Sequence, residues 1–178
     1  MCCSEDGRYF ACIVDKHIYV IDFDTKKHYS FKSGAKLTCI AMKSDATCIC
    51  VGNNKGKIYY YYDFTSKSGA TISTRHWHAN PVKYLHFTRD NTFLLSGGKE
   101  AVVVLWHQAT QQHSFISKVG NHIVNLSSSY DGSLISICMA DNSIKIVRAQ
   151  NYEIVQHIKG LLITDNSKFI QNSEYTNH

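Results

Sequence analysis

Trp77-His78-Ala79-Asn80-Pro81-Val82-Lys83-Tyr84-Leu85-His86-Phe87-Thr88-Arg89-Asp90-Asn91-Thr92-Phe93-Leu94-Leu95-Ser96-Gly97-Gly98-Lys99-Glu100-Ala101-Val102-Val103-Val104-Leu105-Trp106 holds one complete structural unit in order. An apolar alternating run (Val82, Tyr84, His86, Phe87) leads to the turn Arg89-Asp90-Asn91. A short strand then ends in Ser96-Gly97-Gly98, and a β-branched strand ends in Trp106. Three short strands with turn chemistry between them, at roughly 8 to 12 residue spacing, are the pattern of an all-β meander.

The unit recurs along the chain. His17-Ile18-Tyr19-Val20-Ile21-Asp22, Lys57-Ile58-Tyr59-Tyr60-Tyr61-Tyr62, Val102-Val103-Val104-Leu105-Trp106-His107 and Ser143-Ile144-Lys145-Ile146-Val147-Arg148 superpose without gaps. Their anchor positions Ile21, Tyr61, Trp106 and Val147 are separated by 40, 45 and 41 residues, and the turn residues Asp15, Lys55, Glu100 and Asp141 repeat at the same intervals. Upstream, Asp6, Asp45, Asp90 and Asp131 mark a second set of turns. A period of 40 to 45 residues points to propeller blades. The second strands (Tyr9–Val14, Thr47–Val51, Phe93–Ser96, Leu134–Cys138) are near-continuous apolar runs, as expected where neighbouring blades cover both faces. The fourth strands are more polar, as outer edges should be. The expected fold is therefore all-β: an open, partial β-propeller of about four blades of four-stranded antiparallel sheet over residues 1–162. Its blades fall near 1–36, 37–80, 81–121 and 122–162, and a polar tail follows at 163–178.

Composition bounds the function classes. The 178 residues are 44% hydrophobic, which suits a globular chain. No run approaches a membrane span, and Met1-Cys2-Cys3-Ser4-Glu5-Asp6 has neither the basic nor the apolar part of a signal peptide, so a soluble intracellular protein is expected. Seven cysteines without a C-x-x-C pair read as small core hydrophobes in a reducing compartment. The net charge of +5 is compatible with nucleic acid or an acidic partner, but the lysines are too dispersed along the sequence to choose.

With Trp77-His78, Ser96-Gly97, Glu100 and Trp106, the third copy resembles a WD repeat. The resemblance implies a hydrogen-bonded structural network of His78, Ser96, Glu100 and Trp106, with glutamate where the family has aspartate. The other copies keep Asp15 and Asp141 but place Ile21, Tyr61 and Val147 where the tryptophan would stand. A closer likeness runs through Leu37-Thr38-Cys39-Ile40-Ala41, Gly56-Lys57-Ile58, His76-Trp77-His78, Leu94-Leu95-Ser96-Gly97-Gly98-Lys99-Glu100, Val104-Leu105-Trp106, Ala109-Thr110, Asp141-Asn142-Ser143-Ile144-Lys145-Ile146 and Ile158-Lys159-Gly160-Leu161. These residues resemble the nucleolar WD-repeat subunit of the small-subunit processome. That likeness implies a nuclear, nucleolar scaffold in pre-rRNA transcription and processing, with other processome proteins as partners and a contact to pre-rRNA. Members of that family carry two propellers in one long chain, so a fragment, a truncated product or an incomplete gene model is expected here.

Other chemistry finds little support in the sequence. His76-Trp77-His78 offers two imidazoles but needs two more ligands from elsewhere to hold a metal. Nucleophile elbows, phosphate loops and metalloprotease motifs are missing, so no catalytic residue, metal, cofactor or small-molecule substrate is expected. Tyr59 to Tyr62 cannot all form one base-stacking platform, because alternate strand side chains face opposite ways. Lys26, Lys27, Lys32 and Lys36 form a basic set near a blade edge that reads most simply as a solvated face. The competing functional class is a generic WD-repeat adaptor in a ubiquitin-ligase or chromatin complex. Direct RNA binding is a third, distinguished by a steep salt dependence.

Overall fold

Four aspartate turns set the frame of the molecule. Asp6, Asp45, Asp90 and Asp131 each accept a hydrogen bond through Oδ1 from the backbone N–H two residues on, at 3.0 to 3.1 Å. The residue between adopts a left-handed conformation in every case: Gly7, Ala46, Asn91 and Gly132 have φ of 72°, 55°, 57° and 71°. In three of the turns a preceding hydroxyl (Ser4, Thr88, Ser129) also donates to the same aspartate. These side-chain turns reverse the chain without asking anything of the flanking strands, so one local device serves four times.

In the computed structural model, which describes residues 1–117 and 119–160, four sheets of four strands follow from these turns. Blade 1 comprises β1 (Cys2–Cys3), β2 (Tyr9–Val14), β3 (His17–Asp22) and β4 (His28–Lys32). Blade 2 comprises β5 (Leu37–Met42), β6 (Cys48–Asn53), β7 (Lys57–Tyr62) and β8 (Thr71–His76). Blade 3 is built from β9 (Val82–Phe87), β10 (Phe93–Gly98), β11 (Val103–His107) and β12 (His113–Ile116), and blade 4 from β13 (Ile123–Ser128), β14 (Leu134–Met139), β15 (Ile144–Arg148) and β16 (Ile154–Ile158). Each is an antiparallel meander in sequence order, and the four together form an open all-β propeller. The tail expected at 163–178 lies outside the described residues.

The core is three layers between blades rather than one centre. Ala11, Ile18 and Val20 of blade 1 meet Ile49, Val51 and Tyr61 of blade 2. Cys48, Cys50, Ile58 and Tyr60 of blade 2 meet Leu94, Val104 and Trp106 of blade 3. Leu95, Val103 and Leu105 of blade 3 meet Ile135, Ile137 and Val147 of blade 4. Each fully buried Ile, Leu or Val contributes about 1.5–3 kcal/mol. Burial follows this layering. All six residues of β6 and five of the six in β10 are buried, whereas β2 and β14 are only partly so, because blades 1 and 4 are each covered on one face. Two-sided burial of the second strands, expected from sequence for all four copies, is therefore a property of the two middle blades.

The tyrosine run divides as strand alternation requires. Tyr60 and Tyr62 stack at 6.0 Å in the layer towards blade 3, while Tyr61 and Tyr59 pack towards blade 1. All seven cysteines are free thiols, and burial pushes the Cys39 thiol up to about 12.

Candidate functional site

Trp106 sits at the outer end of β11, where the indole enters the layer between blades 2 and 3. Its Nε1–H donates to Ser96 Oγ at 2.8 Å, and Ser96 Oγ lies 2.8 Å from His78 Nε2. An indole nitrogen only donates, so Ser96 accepts from it and keeps its own proton available for Nε2. With Ser96 donating to Nε2, the neutral imidazole carries its proton on Nδ1, the nitrogen that faces the Glu100 carboxylate. Asn80 N–H donates to Glu100 Oε1 at 2.7 Å, but Oε2 stops 3.6 Å from His78 Nδ1. That is beyond a hydrogen bond, and both atoms are buried without a partner. Gly98 makes room for the carboxylate: a Cβ there would lie 3.0 Å from Oε2.

His78 is fully buried, and burial lowers its pKa against the opposing pull of the Glu100 charge. Burial pushes Glu100 up, yet the Asn80 N–H and the nearby imidazole outweigh it and leave the acid below its ordinary value. The arrangement pins the connection from β8 to β9. On its other side Gly56, at φ 76°, comes so close that a Cβ would meet the His78 carbonyl oxygen at 1.8 Å. The connection is thus held between the β6–β7 turn of blade 2 and the β10–β11 turn of blade 3.

The remaining repeat positions do not join this group. Tyr61 and Val147 are buried, each against the preceding blade, while Ile21 points to the uncovered side of blade 1 and is only partly buried. Four residues before the repeated turn, where blade 3 has Ser96, the other blades carry Ala11, Val51 and Ile137, all apolar and buried. Asp141 accepts from Ser143 N–H at 3.2 Å within its own turn, whereas the Asp15 carbonyl accepts from Leu37 N–H at 2.7 Å and so ties the β2–β3 turn to blade 2. Among the described residues, no cluster of three His, Cys, Asp or Glu is placed to hold a metal ion.

Two hydrogen-bonded arcs between blades are not readable from the repeat alignment. On the face carrying the second-to-third-strand turns, Leu37 N–H of blade 2 donates to Asp15 O of blade 1 (2.7 Å), and Thr38 Oγ1 of blade 2 donates to Val82 O of blade 3. His122 Nδ1 donates to Lys99 O at 2.7 Å. On the opposite face Glu5 N–H reaches Ser44 O, Ser44 N–H reaches Asn91 Oδ1, Arg89 pairs with Glu5, and the Arg89 guanidinium lies 3.8 Å over the Tyr130 ring. Four successive blades are thereby linked on both faces. Blade 1 adds an ion pair of its own, Arg8 to the buried Asp22 at 3.0 Å, which holds the Asp22 carboxyl well below the usual range. The only sequence signal for these links was the spacing of the turns, which gives height along the strand but not the lateral neighbour.

The family described as the WD repeat-containing protein 75 first beta-propeller matches residues 1–142. The chain is similar to WD repeat-containing protein 75 of Danio rerio, at 33% identity over 168 residues that cover 89% of this chain and 20% of that protein. It is likewise 33% identical to WD repeat-containing protein 75 of Homo sapiens over 176 residues, covering 93% and 21%. U3 small nucleolar RNA-associated protein 17 of Schizosaccharomyces pombe is 29% identical over 155 residues, covering 83% and 19%. The chain spans about a fifth of the length of these relatives.

Proposed function

The chain belongs to the family of the first β-propeller of WD repeat-containing protein 75, and from that premise we propose that it is a non-catalytic scaffold module in early small-subunit ribosome biogenesis, working in the nucleolus among other processome proteins. The observation that carries the reading is the pair of interblade arcs, which fix the loops of four blades in register on both faces. Rigid loops on a layered scaffold lose little entropy on docking, so they suit stable contacts of about 1,200–2,000 Å². The relative named for association with U3 small nucleolar RNA supports the choice of assembly. In this reading the buried His78, Ser96 and Trp106 bind nothing themselves; they hold the β8–β9 connection in the shape a partner meets.

Depletion of the protein that carries this propeller, followed by pulse-labelling of new ribosomal RNA and microscopy of a tagged copy, tests the proposal. Nucleolar signal with reduced early precursor is the expected result. Unchanged precursor and a signal outside the nucleus would overturn it in favour of a generic adaptor.

A further inference from the structure

Charge is divided between the two faces of the blades in a way the sequence order conceals. Lys16, Lys36, Lys55 and Lys99 all lie in the turns and connections of the first arc, and all four are exposed. Three more exposed lysines stand at strand ends on that same side: Lys32 closes β4, Lys83 lies at the start of β9 and Lys159 follows β16. No ion pair among the described residues engages any of these seven. The carboxylates on this face are Asp15, Asp141 and Glu100, and Glu100 is turned inward to His78 and Asn80. The other described carboxylates lie towards the opposite face, where Arg8, Arg89 and Arg148 pair with Asp22, Asp24, Glu5 and Glu153. The basic set Lys26, Lys27, Lys32 and Lys36 is accordingly split, since Lys26 and Lys27 sit in the β3–β4 turn on that self-neutralised side.

We propose that the lysine-bearing face binds single-stranded RNA, with Lys16, Lys36, Lys55 and Lys99 tracking the phosphates along successive blades and Trp77 stacking a base. Like charges left without counter-ions in a row repel one another, and a polyanion relieves that repulsion while releasing its own condensed ions. A flexible chain of phosphates matches lysines that are spread one after another along an arc. A folded acidic protein would be better met by a compact cluster. The second support is aromatic. Trp77, on the β8–β9 connection at the same face, is 38% exposed. Its ring is fixed from behind by Phe115 at 4.8 Å and, edge to face, by His78 at 5.1 Å. An immobilised ring with a free surface on a lysine-bearing face is the usual platform for an unpaired base. The inference goes beyond the scaffold reading, which needs no direct RNA contact, so its failure leaves that reading standing.

The test is surface-based binding of an unstructured RNA oligonucleotide to the 178-residue chain, tethered sparsely so that copies cannot associate, across a salt series. The chain should bind with strong salt dependence. K36E/K55E/K99E should weaken binding and lower the slope of log affinity against log salt by about 2, at roughly 0.7 per single-strand phosphate contact. Trp77→Ala should cost about tenfold in affinity with the slope unchanged. The control K27E/K43E/K67E on the other face should bind like the parent, and circular dichroism should show all variants folded. Equal losses from both triple variants would mean undirected attraction to net charge and overturn the proposal. So would binding of an acidic polypeptide such as polyglutamate in preference to RNA, or no RNA binding at all.

Discussion

Trp106 is the largest side chain in the layer between blades 2 and 3, and its truncation both opens a cavity and strips Ser96 of a donor. Trp106→Ala is expected to cost about 3–5 kcal/mol, more than alanine at Ile21, Tyr61 or Val147, in denaturant titrations of the four variants. A loss under about 1 kcal/mol would show the indole to be a surface group. Two buried histidines make stability depend on pH. His78 and His86 are both held below 6.5 by burial, and Ser128 N–H donates to His86 Nε2 at 3.2 Å, which a proton on that nitrogen would forbid. The unfolded chain takes up protons near pH 6.5 while the folded one resists. Stability is therefore full above pH 6.5 and is lost as pH falls through the lowered folded values. The melting temperature should drop from about pH 6.5 downward, and His86→Gln should shrink that drop. A second loss, from the depressed Asp6, Asp22 and Asp131, should persist below their ordinary value of 3.8. A flat profile from pH 7 to 5 would contradict the buried neutral assignment.

Among the elements, the turns carry the most transferable information and also its limit. Gly7 and Gly56 have nearly the same φ, 72° and 76°, and in sequence both look like ordinary turn glycines. Around Gly7 there is open space, whereas Gly56 faces the His78 carbonyl. Gly7→Ala should cost about 1 kcal/mol, the price of a left-handed Cβ alone. Gly56→Ala should cost clearly more, because the β8–β9 connection must move; thermal melts of the two variants side by side decide it, and equal losses would show the connection to be loosely held. The aspartate turns were legible because their chemistry is local, from the carboxylate to the N–H two residues on. The third strands were legible because β-branched and aromatic runs end at fixed intervals. The bulges at Gly97/Gly98 and Ile123/Asn125 were not anticipated from the repeat alignment.

At the scale of the whole molecule, four blades in an open arc leave the outward sides of blades 1 and 4 without a neighbour among the described residues. Val14 and Tyr19 on the first, and Ile154 and Val155 on the last, are exposed. Uncovered sheet faces with apolar residues favour pairing with other copies. Sedimentation of the isolated chain should show mass rising with concentration; a single monomer at all concentrations would mean these faces are satisfied within one copy. The sequence by itself determined the all-β class, the repeat and its register, the position of each turn, and the candidacy of His78, Ser96, Glu100 and Trp106, because periodicity and turn chemistry act over a few residues. The tertiary structure alone decided that Glu100 Oε2 stops short of His78 Nδ1, that only the middle blades are buried on both sides, and that Lys26 and Lys27 face away from Lys36 and Lys55. Each of those depends on distances between residues far apart in the chain, which are set by how one blade lies against the next, and no local pattern encodes that.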